Sequence, residues 1–562
     1  MLGRGVEPRR HSPRAPTDRD TIALLRTDKR ILIDVSEFAV YVACVLRTIS
    51  DVLLAATVIL PAAGGLAALR PAGGSGRIAV RATAVACAFG VVVVADSSLD
   101  RFPSWSLNDR LLVEVDPLGA LLLVFVLAST LVVQSFAVRS LRGDVARARF
   151  FAASGCAATA TVMVAVAADL WVLVAAWILV SVATIALLRH DGRPGAAAAS
   201  RRAATSFMIG DAALVLAAIA ATATVGAVTL RPQSMNDLAM SDAQVFGAVG
   251  ITGVLAAAAV IAAICRCAQP PSQNWLPMSV ASPTPSSALL HAGIVNGGGV
   301  VLIRFAPVVG VSTIATGVAL ASGCAGVLIG AAVSRTRPDV KSGLAWSTVA
   351  QMGFMVVQCV TGLFGPALIH MVAHGMYKSN LFLGSGSAVA HRHSPSAEQT
   401  SLFDRLVRAL GVGGVTAVAL GAACVVVRPT WFEGAAGLVL LGFAIVTVAQ
   451  LTSAWLRTRD ERTSLDLLAF AALVLATTAS LAVAGAIKKW LAPSLSEVEP
   501  TLAAVGAVAL GATALAGWSI GAFSRSGSTT AGAVAARAYL WAAHLGDLAR
   551  VTPPIGSSEV RP

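Results

Sequence analysis

The chain has 562 residues, of which 56% are hydrophobic and only 13% are charged, and its mean hydropathy is +0.77. Soluble proteins carry roughly 25% charged residues, so this composition excludes an ordinary soluble enzyme. Runs of about 20 apolar residues recur along the chain and predict a polytopic helical membrane protein. The formal net charge of +13 does not by itself indicate nucleic-acid binding, because membrane proteins concentrate Arg and Lys in cytoplasmic loops.

The first segment, residues 1–50, is a polar, basic N-terminal arm without the apolar core of a signal peptide. We therefore expect insertion to depend on internal spans. Residues 31–48 are a weaker candidate for a membrane-associated segment, because Asp34 and Glu37 interrupt their apolar character.

The predicted fold class is an all-α polytopic membrane protein with about 15 (14–16) transmembrane helices, all within a membrane domain of residues 51–523. The candidate spans lie near 52–69, 79–96, 117–138, 150–168, 170–188, 206–229, 245–264, 286–306, 310–333, 343–362, 364–384, 411–427, 434–454, 464–487 and 501–523.

The charges of the connections predict the orientation. Basic connections follow the odd-numbered spans, whereas the alternate ones are acidic or nearly neutral. The positive-inside rule places the odd-numbered exits in the cytoplasm, together with the polar tail 524–562, and the chain is expected to cross the membrane many times. This orientation puts residues 1–30 outside unless 31–48 also crosses. The tail contains an amphipathic stretch near 535–549, which suits a membrane surface, a partner or a solvated end.

The eight cysteines are scattered, and only Cys265 and Cys267 are close in sequence. We interpret them as small buried hydrophobic residues rather than as metal ligands or disulfides. The sequence contains no Walker loop, dinucleotide fingerprint or HExxH, so no ATPase or soluble-type catalytic centre is indicated.

The segment LIHMVAHGMYKSNLFL, residues 368–383, is apolar enough for a bilayer yet contains His370, His374 and Lys378. A charged residue at the bilayer centre costs about 3 kcal/mol or more, so such residues are functional candidates. Their i, i+4, i+8 spacing places all three on one stripe of a helix. A stripe of titratable groups suits a proton relay. The alternative is that the stripe packs against polar groups of a neighbouring helix and moves nothing.

The segment 265–299 contains five prolines within 16 residues, which predicts a broken helix. Broken helices at membrane depth often form ion sites in transporters. His291 follows just inside the next span, and Asp211 lies in the sixth. The three glycines at 297–299 are expected to allow close helix packing.

Three motifs in order carry a resemblance to a known family. CAQPPSQNWLPMSVASPTPSSALLHAG, LAWSTVAQMGFM and HMVAHGMYKSNLFLGSGS together resemble the antiporter-like proton-translocating family. That family includes the large membrane-arm subunit of complex I and large subunits of multisubunit sodium/proton antiporters. The resemblance covers roughly residues 115–390 and implies two inverted five-helix repeats with broken helices.

The resemblance also implies a cation pathway, with an unusual feature at its start. Arg266 stands where the family has a lysine in the broken helix, and Ile178 stands where proton-pumping relatives have a glutamate. An arginine does not readily release its proton, so a switch of the complex I type is in doubt. The residues that match the pathway are Asp211, Arg266, His291, His370, His374 and Lys378.

With these two departures, the sequence most resembles the membrane subunits of the DAB inorganic-carbon accumulation system. That resemblance implies a cation-conducting (H⁺ or Na⁺) transport subunit without a cofactor or metal of its own. Its partner would be a large peripheral zinc protein, DabA, with a carbonic-anhydrase-like site that converts CO2 to bicarbonate. The alternatives are a proton-pumping subunit of NADH–quinone oxidoreductase, a subunit of a sodium/proton antiporter, and a non-conducting membrane anchor.

Overall fold

The computed structural model describes residues 48–70, 75–97, 103–190, 194–245, 247, 249–386, 475, 486, 489–495 and 529–548. The chain divides into two units, Met1–Leu53 and Leu54–Pro562. The predicted N-terminal arm and the four spans predicted beyond residue 411 lie almost wholly outside the described residues. The total of about 15 helices and the two inverted repeats therefore stay predictions.

Helices occupy all eleven spans predicted between residues 52 and 384. Nine of these helices, within the described part of the chain, are long and apolar enough to cross a membrane. They are α1 (Thr48–Ala67), α2 (Ser75–Ser97), α3 (Pro117–Ser140), α4 (Arg147–Val166), α5 (Leu170–Leu188), α6 (Pro194–Val225), the interrupted helix of α10 (Thr284–Ala292) and α11 (Gly297–Arg304), α13 (Thr313–Ser334) and α14 (Val340–Val360).

The other two predicted spans are helices of a different kind. The apolar helix α8 (Ile251–Arg266) has 16 residues, and α15 (Phe364–Gly384) has 21 residues, several of them polar. Shorter or more peripheral helices complete the described set: α7 (Pro232–Ala239), α9 (Trp275–Met278), α12 (Ala306–Val311) and α16 (Thr529–Leu548).

Two small antiparallel hairpins show that the prediction of an all-α chain was too strict. Strands β1 (Ser104–Leu107) and β2 (Arg110–Glu114) pair across a two-residue turn, and β3 (Gln244–Val245) pairs with β4 (Val249–Gly250). The turn residues Asn108 and Asp109 have φ angles of +50° and +63°. Asn and Asp tolerate this left-handed conformation, which matches the twist of a hairpin.

Aspartates fix the beginnings of three membrane helices. Asp116 accepts a hydrogen bond from the backbone N–H of Gly119, and Asp169 and Asp339 cap α5 and α14 in the same way. Each carboxylate satisfies donors that the first helical turn leaves without a partner. By contrast, α6 begins 12 residues before the predicted span at 206, because the alanine-rich segment 196–204 favours helix beyond the apolar run.

The proline-rich segment ends helix α8, as its composition predicts. Helix α8 ends at Arg266, and the following span is itself interrupted between α10 and α11 by a 3₁₀ turn, Ile294–Asn296. Gly298 allows α11 to lie directly on α8, since a Cβ there would be 2.9 Å from the carbonyl oxygen of Ala263. The interruption places the polar Asn296 in the core, where it is only 4% exposed.

Ion pairs join the helix ends on the face that carries the β1–β2 hairpin. Arg304, at the end of α11, contacts both carboxylate oxygens of Asp116 at 2.6 and 2.7 Å and also donates to the carbonyl oxygen of Ala165. Arg231 pairs with Glu114 at the surface nearby. The Arg304–Asp116 pair therefore links the interrupted helix to the beginning of α3.

Candidate cation pathway

The polar stripe of α15 faces a second polar stripe on α14. His370 Nδ1 lies 3.1 Å from Gln358 Oε1, and His374 Nδ1 lies 2.5 Å from Gln351 Oε1. The ring centroids of the two histidines are 5.6 Å apart. Because an amide oxygen only accepts, each imidazole donates through Nδ1 in this arrangement. The two stripes form one row of polar contacts between antiparallel helices.

Lys378 continues this row at its other end. Its ammonium group donates to the carbonyl oxygen of Leu344 at 3.1 Å and to the hydroxyl of Ser347. The residue is only 1% exposed, and no carboxylate among the described residues pairs with it. The ammonium group is therefore held by neutral oxygens of α14 alone within the described part of the chain.

His291 reaches the same region from α10. Its ring stacks on Phe382 of α15 with a centroid distance of 4.4 Å, and its Nε2 lies 3.3 Å from Ser279 Oγ. The backbone of Gly375 packs against the carbonyl oxygen of Ala292, so α10 and α15 are in direct contact. The structure thus places His291 beside the helix that carries the stripe.

Arg266 and Asp211 form a second polar group. Arg266 Nη2 lies 3.6 Å from Asp211 Oδ1, and Ser181 stands between them. The hydroxyl of Ser181 accepts a hydrogen bond from Arg266 at 2.7 Å and donates one to Asp211 at 3.0 Å. Arg266 also donates to the carbonyl oxygen of Trp177 at 3.2 Å.

Two aromatic rings lie against the guanidinium group of Arg266. Its Cζ lies 4.3 Å from the ring centroid of Trp177 and 4.5 Å from that of Phe207. Arginine remains protonated in proteins, and it favours such stacked positions. Its location in the last turn of α8 also suits a cation, because the helix dipole is negative there. The arrangement stabilises a fixed positive charge.

The structure refines the interpretation of Ile178. This side chain is partly buried against the hydrophobic core, so α5 supplies a hydroxyl and a carbonyl oxygen to Arg266 but no carboxylate. The carboxylate comes instead from Asp211 in α6. The arginine therefore retains an acidic partner although the glutamate position is apolar.

Asn296 and Gly297 lie on the interrupted helix near the two polar groups. Asn296 Nδ2 donates to the carbonyl oxygens of Ala292 and Met371, at 2.9 and 3.3 Å, and the second of these belongs to α15. A Cβ on Gly297 would lie 3.4 Å from the Trp177 ring, beside Arg266. No direct hydrogen bond joins the Arg266 group to the stripe within the described residues.

Several partners of these residues were missed from the sequence. Gln351 and Gln358 were visible as polar residues inside an apolar span, and their spacing of seven places them on one helix face. Ser181 and Phe207 gave no such signal, because hydroxyls and aromatic rings are common in membrane helices. The sequence cannot show that they surround Arg266, since the three lie on different helices.

Comparison with known proteins identifies the family of this chain. Residues 167–417 match the family described as "NADH:quinone oxidoreductase/Mrp antiporter, TM". The chain is 33% identical over 380 residues to the probable inorganic carbon transporter subunit DabB1 of Halothiobacillus neapolitanus, covering 64% of this chain and 67% of that protein. The chain belongs to the DabB-like branch of this family. It is a multi-pass protein of the cell membrane.

Two other similarities agree with this assignment. The chain is 34% identical to the DabB subunit of Bacillus subtilis over 293 residues, which are 51% of this chain and 56% of that protein. A chain of the Mrp complex from Dietzia sp. DQ12-45-1b shares the fold with a TM-score of 0.58 at 20% identity, covering 90% of this chain and 60% of that chain. The chain thus spans little more than half the length of these two relatives.

Proposed function

We propose that this chain is the cation-conducting membrane subunit of an energy-coupled inorganic carbon pump. The observation that carries the proposal is the row of His370, His374 and Lys378 facing amide and hydroxyl groups of α14. Three titratable groups in one row, two of them buried, can pass a proton by successive short steps, or replace part of the hydration shell of a cation. The similarity to probable inorganic carbon transporter subunits supports inorganic carbon as the substrate of the complex.

Unused hydrogen-bonding capacity along the row supports conduction. His374 Nε2, His291 Nδ1 and Asn296 Oδ1 are buried and have no partner among the described residues. Buried polar atoms of this kind are normally satisfied by water. Water between the histidines and Asn296 would continue the proton path toward the Arg266 group.

Arg266 is proposed to act as a fixed charge rather than as a proton carrier. Its two aromatic neighbours and Ser181 hold it in place, and its charge does not change near neutral pH. The fixed positive charge of Arg266 repels a cation in the pathway. The carboxylate of Asp211 offsets this repulsion. A proton that arrives at Asp211 would weaken the ion pair and change the electrostatic field that the stripe experiences.

The partner in this proposal is a DabA-like peripheral protein that holds zinc and converts CO2 to bicarbonate. The resemblance of the sequence to the DAB membrane subunits suggests it, and the name "subunit" of the relatives agrees. The zinc chemistry belongs to that partner. The role of the present chain is to let cations flow down their gradient and to transmit that energy.

Other members of the family offer one alternative function. The chain is 29% identical over 303 residues to a chloroplastic subunit 5 of NAD(P)H-quinone oxidoreductase from Zygnema circumcarinatum. In this alternative the chain pumps protons in an electron-transfer complex. Ile178 and Arg266 disfavour it, because the acid–lysine pair expected in such pumps is replaced at both positions. Co-purification with quinone-reductase subunits would favour it.

Complementation tests the proposal. A bacterial strain that needs high CO2 for growth receives this chain together with its DabA-like partner. We expect growth in air with the natural chain and no growth with the triple variant His370→Ala, His374→Ala and Lys378→Ala. The matched control is Asn380→Ala, which changes an exposed polar residue of the same helix. Equal rescue by the triple variant, with equal amounts in the membrane, would refute conduction through this row.

A further inference from the structure

A long groove lies on the outside of the helix bundle, between α1 and α5 and over α4. It encloses about 830 Å³. Small side chains of α4 form its floor, among them Ala152, Ala153 and Ala160, and α1 and α5 form its walls. None of the described residues that line it is acidic. The groove is therefore an apolar channel open at the surface of the membrane domain.

Close packing of α1 on α4 keeps one wall of this groove in place. A Cβ on Gly65 would lie 2.6 Å from the carbonyl oxygen of Phe151, so the two backbones touch. Pro61 interrupts the hydrogen bonds of α1, and Thr159 replaces one of them. Its Oγ1 accepts from the N–H of Ala62 at 3.1 Å and donates to the carbonyl oxygen of Val58 at 2.6 Å. These contacts fix the position of the α1 wall relative to α4.

The dimensions of the groove match one leaflet of a bilayer. Its lining along α4 extends from Arg149 to Ala160, which is about 16 Å at 1.5 Å per residue. One leaflet contributes about half of a hydrocarbon core of roughly 30 Å. Leu179 and Val182, on the α5 wall, are 58% and 59% exposed, so the surface there is apolar.

Positive charge is concentrated at one end of the groove. Arg149, in the first turn of α4, and Arg189, which follows α5, both line it there and are both exposed. The connections at this end are basic, so the positive-inside rule assigns them to the cytoplasmic face. Arginine side chains bind phosphate oxygens well, and basic pockets between membrane helices on this face bind anionic headgroups.

We infer that this groove binds an anionic phospholipid of the cytoplasmic leaflet. One acyl chain lies over the small residues of α4, and the phosphate group contacts Arg149 and Arg189. The two arginines at one end of the groove favour an anionic headgroup over an apolar partner helix. The site lies apart from the polar stripe and does not depend on the proposed transport activity.

Native mass spectrometry of the purified, delipidated full chain tests this site. Phosphatidylglycerol and phosphatidylcholine with the same acyl chains are titrated separately. We expect tighter binding of phosphatidylglycerol, and roughly 30-fold weaker binding after Arg149→Gln with Arg189→Gln, at about fivefold for each charge. The control Arg335→Gln removes an exposed arginine that follows α13 and should change nothing.

A second variant tests the acyl chain independently of the charges. Ala186 is an exposed residue of the α5 wall, so Ala186→Trp narrows the groove without entering the core. We expect it to weaken the binding of both lipids while the melting temperature of the lipid-free chain stays unchanged. The inference is overturned if both groove variants retain phosphatidylglycerol as well as Arg335→Gln does. It is also overturned if a protein segment cross-links to residue 186 in the membrane.

Discussion

Lys378 of α15 donates a hydrogen bond to Ser347 of α14, and its ammonium group also reaches the carbonyl oxygen of Leu344. This contact completes a row in which His370, His374 and Lys378 each have a polar partner on α14. Such pairing agrees both with a relay and with purely structural packing. The predictions below separate these two interpretations.

Changing Lys378 to Ala should stop conduction while the fold persists. The ammonium group makes the contacts of α15 with Leu344 and Ser347 at that end of the row, and alanine removes both. We expect cation flux to fall by at least about tenfold, which corresponds to about 1.4 kcal/mol on the barrier. Flux into vesicles measures this, and thermal unfolding in detergent measures the fold. Purely structural packing predicts the opposite pattern, lost stability with flux proportional to the folded protein.

Gln351 should affect conduction because it orients the ring of His374. Gln351→Leu removes the oxygen that lies 2.5 Å from His374 Nδ1 and leaves a buried donor without a partner, which costs about 1–3 kcal/mol. We expect lower stability and several-fold lower flux. Gln351→Glu keeps an acceptor at the same position and should retain more flux than the leucine variant. Equal flux in the two variants would show that this contact does not orient the histidine.

Asp211 and Arg266 should behave as a coupled pair. Removing Asp211 alone leaves a buried, unpaired guanidinium group and is expected to lower the free energy of unfolding by about 3–5 kcal/mol. The double change Asp211→Ala with Arg266→Met should cost clearly less than the sum of the two single changes. Denaturant unfolding of the four proteins in detergent measures the coupling. Additive effects would mean that Ser181 and the aromatic rings, not Asp211, stabilise the arginine.

Two ion pairs on the same face should differ in strength. Asp116 binds buried Arg304 through both oxygens, whereas the side chain of Arg231, the partner of Glu114, is 51% exposed. Asp116→Ala should destabilise by about 3 kcal/mol or more, because it leaves Arg304 unpaired and removes the cap of α3. Glu114→Ala should cost about 1 kcal/mol or less. Melting temperatures of the two variants give the comparison, and similar shifts would contradict it.

Periodicity and proline placement sufficed to predict the main helices. The i, i+4, i+8 spacing placed His370, His374 and Lys378 on one face of α15, and the prolines after Arg266 predicted the end of α8. Long-range partners could not be predicted in this way. Asp211 and Arg266 are 55 positions apart in the sequence, and only the packing of α6 on α8 joins them. The β1–β2 hairpin was not predicted, because its strands of four and five residues lie in a short connection between two membrane spans.

Flux through the row is the most direct test of the central claim. The chain is reconstituted with its DabA-like partner in proteoliposomes that contain a pH-sensitive dye, or a sodium-sensitive dye in a parallel series. With an imposed gradient, the account predicts rapid cation entry for the natural chain and for Asn380→Ala. It predicts entry at the rate of empty liposomes for the triple variant His370→Ala, His374→Ala and Lys378→Ala. Entry at the natural rate in the triple variant, for both cations, would contradict the account.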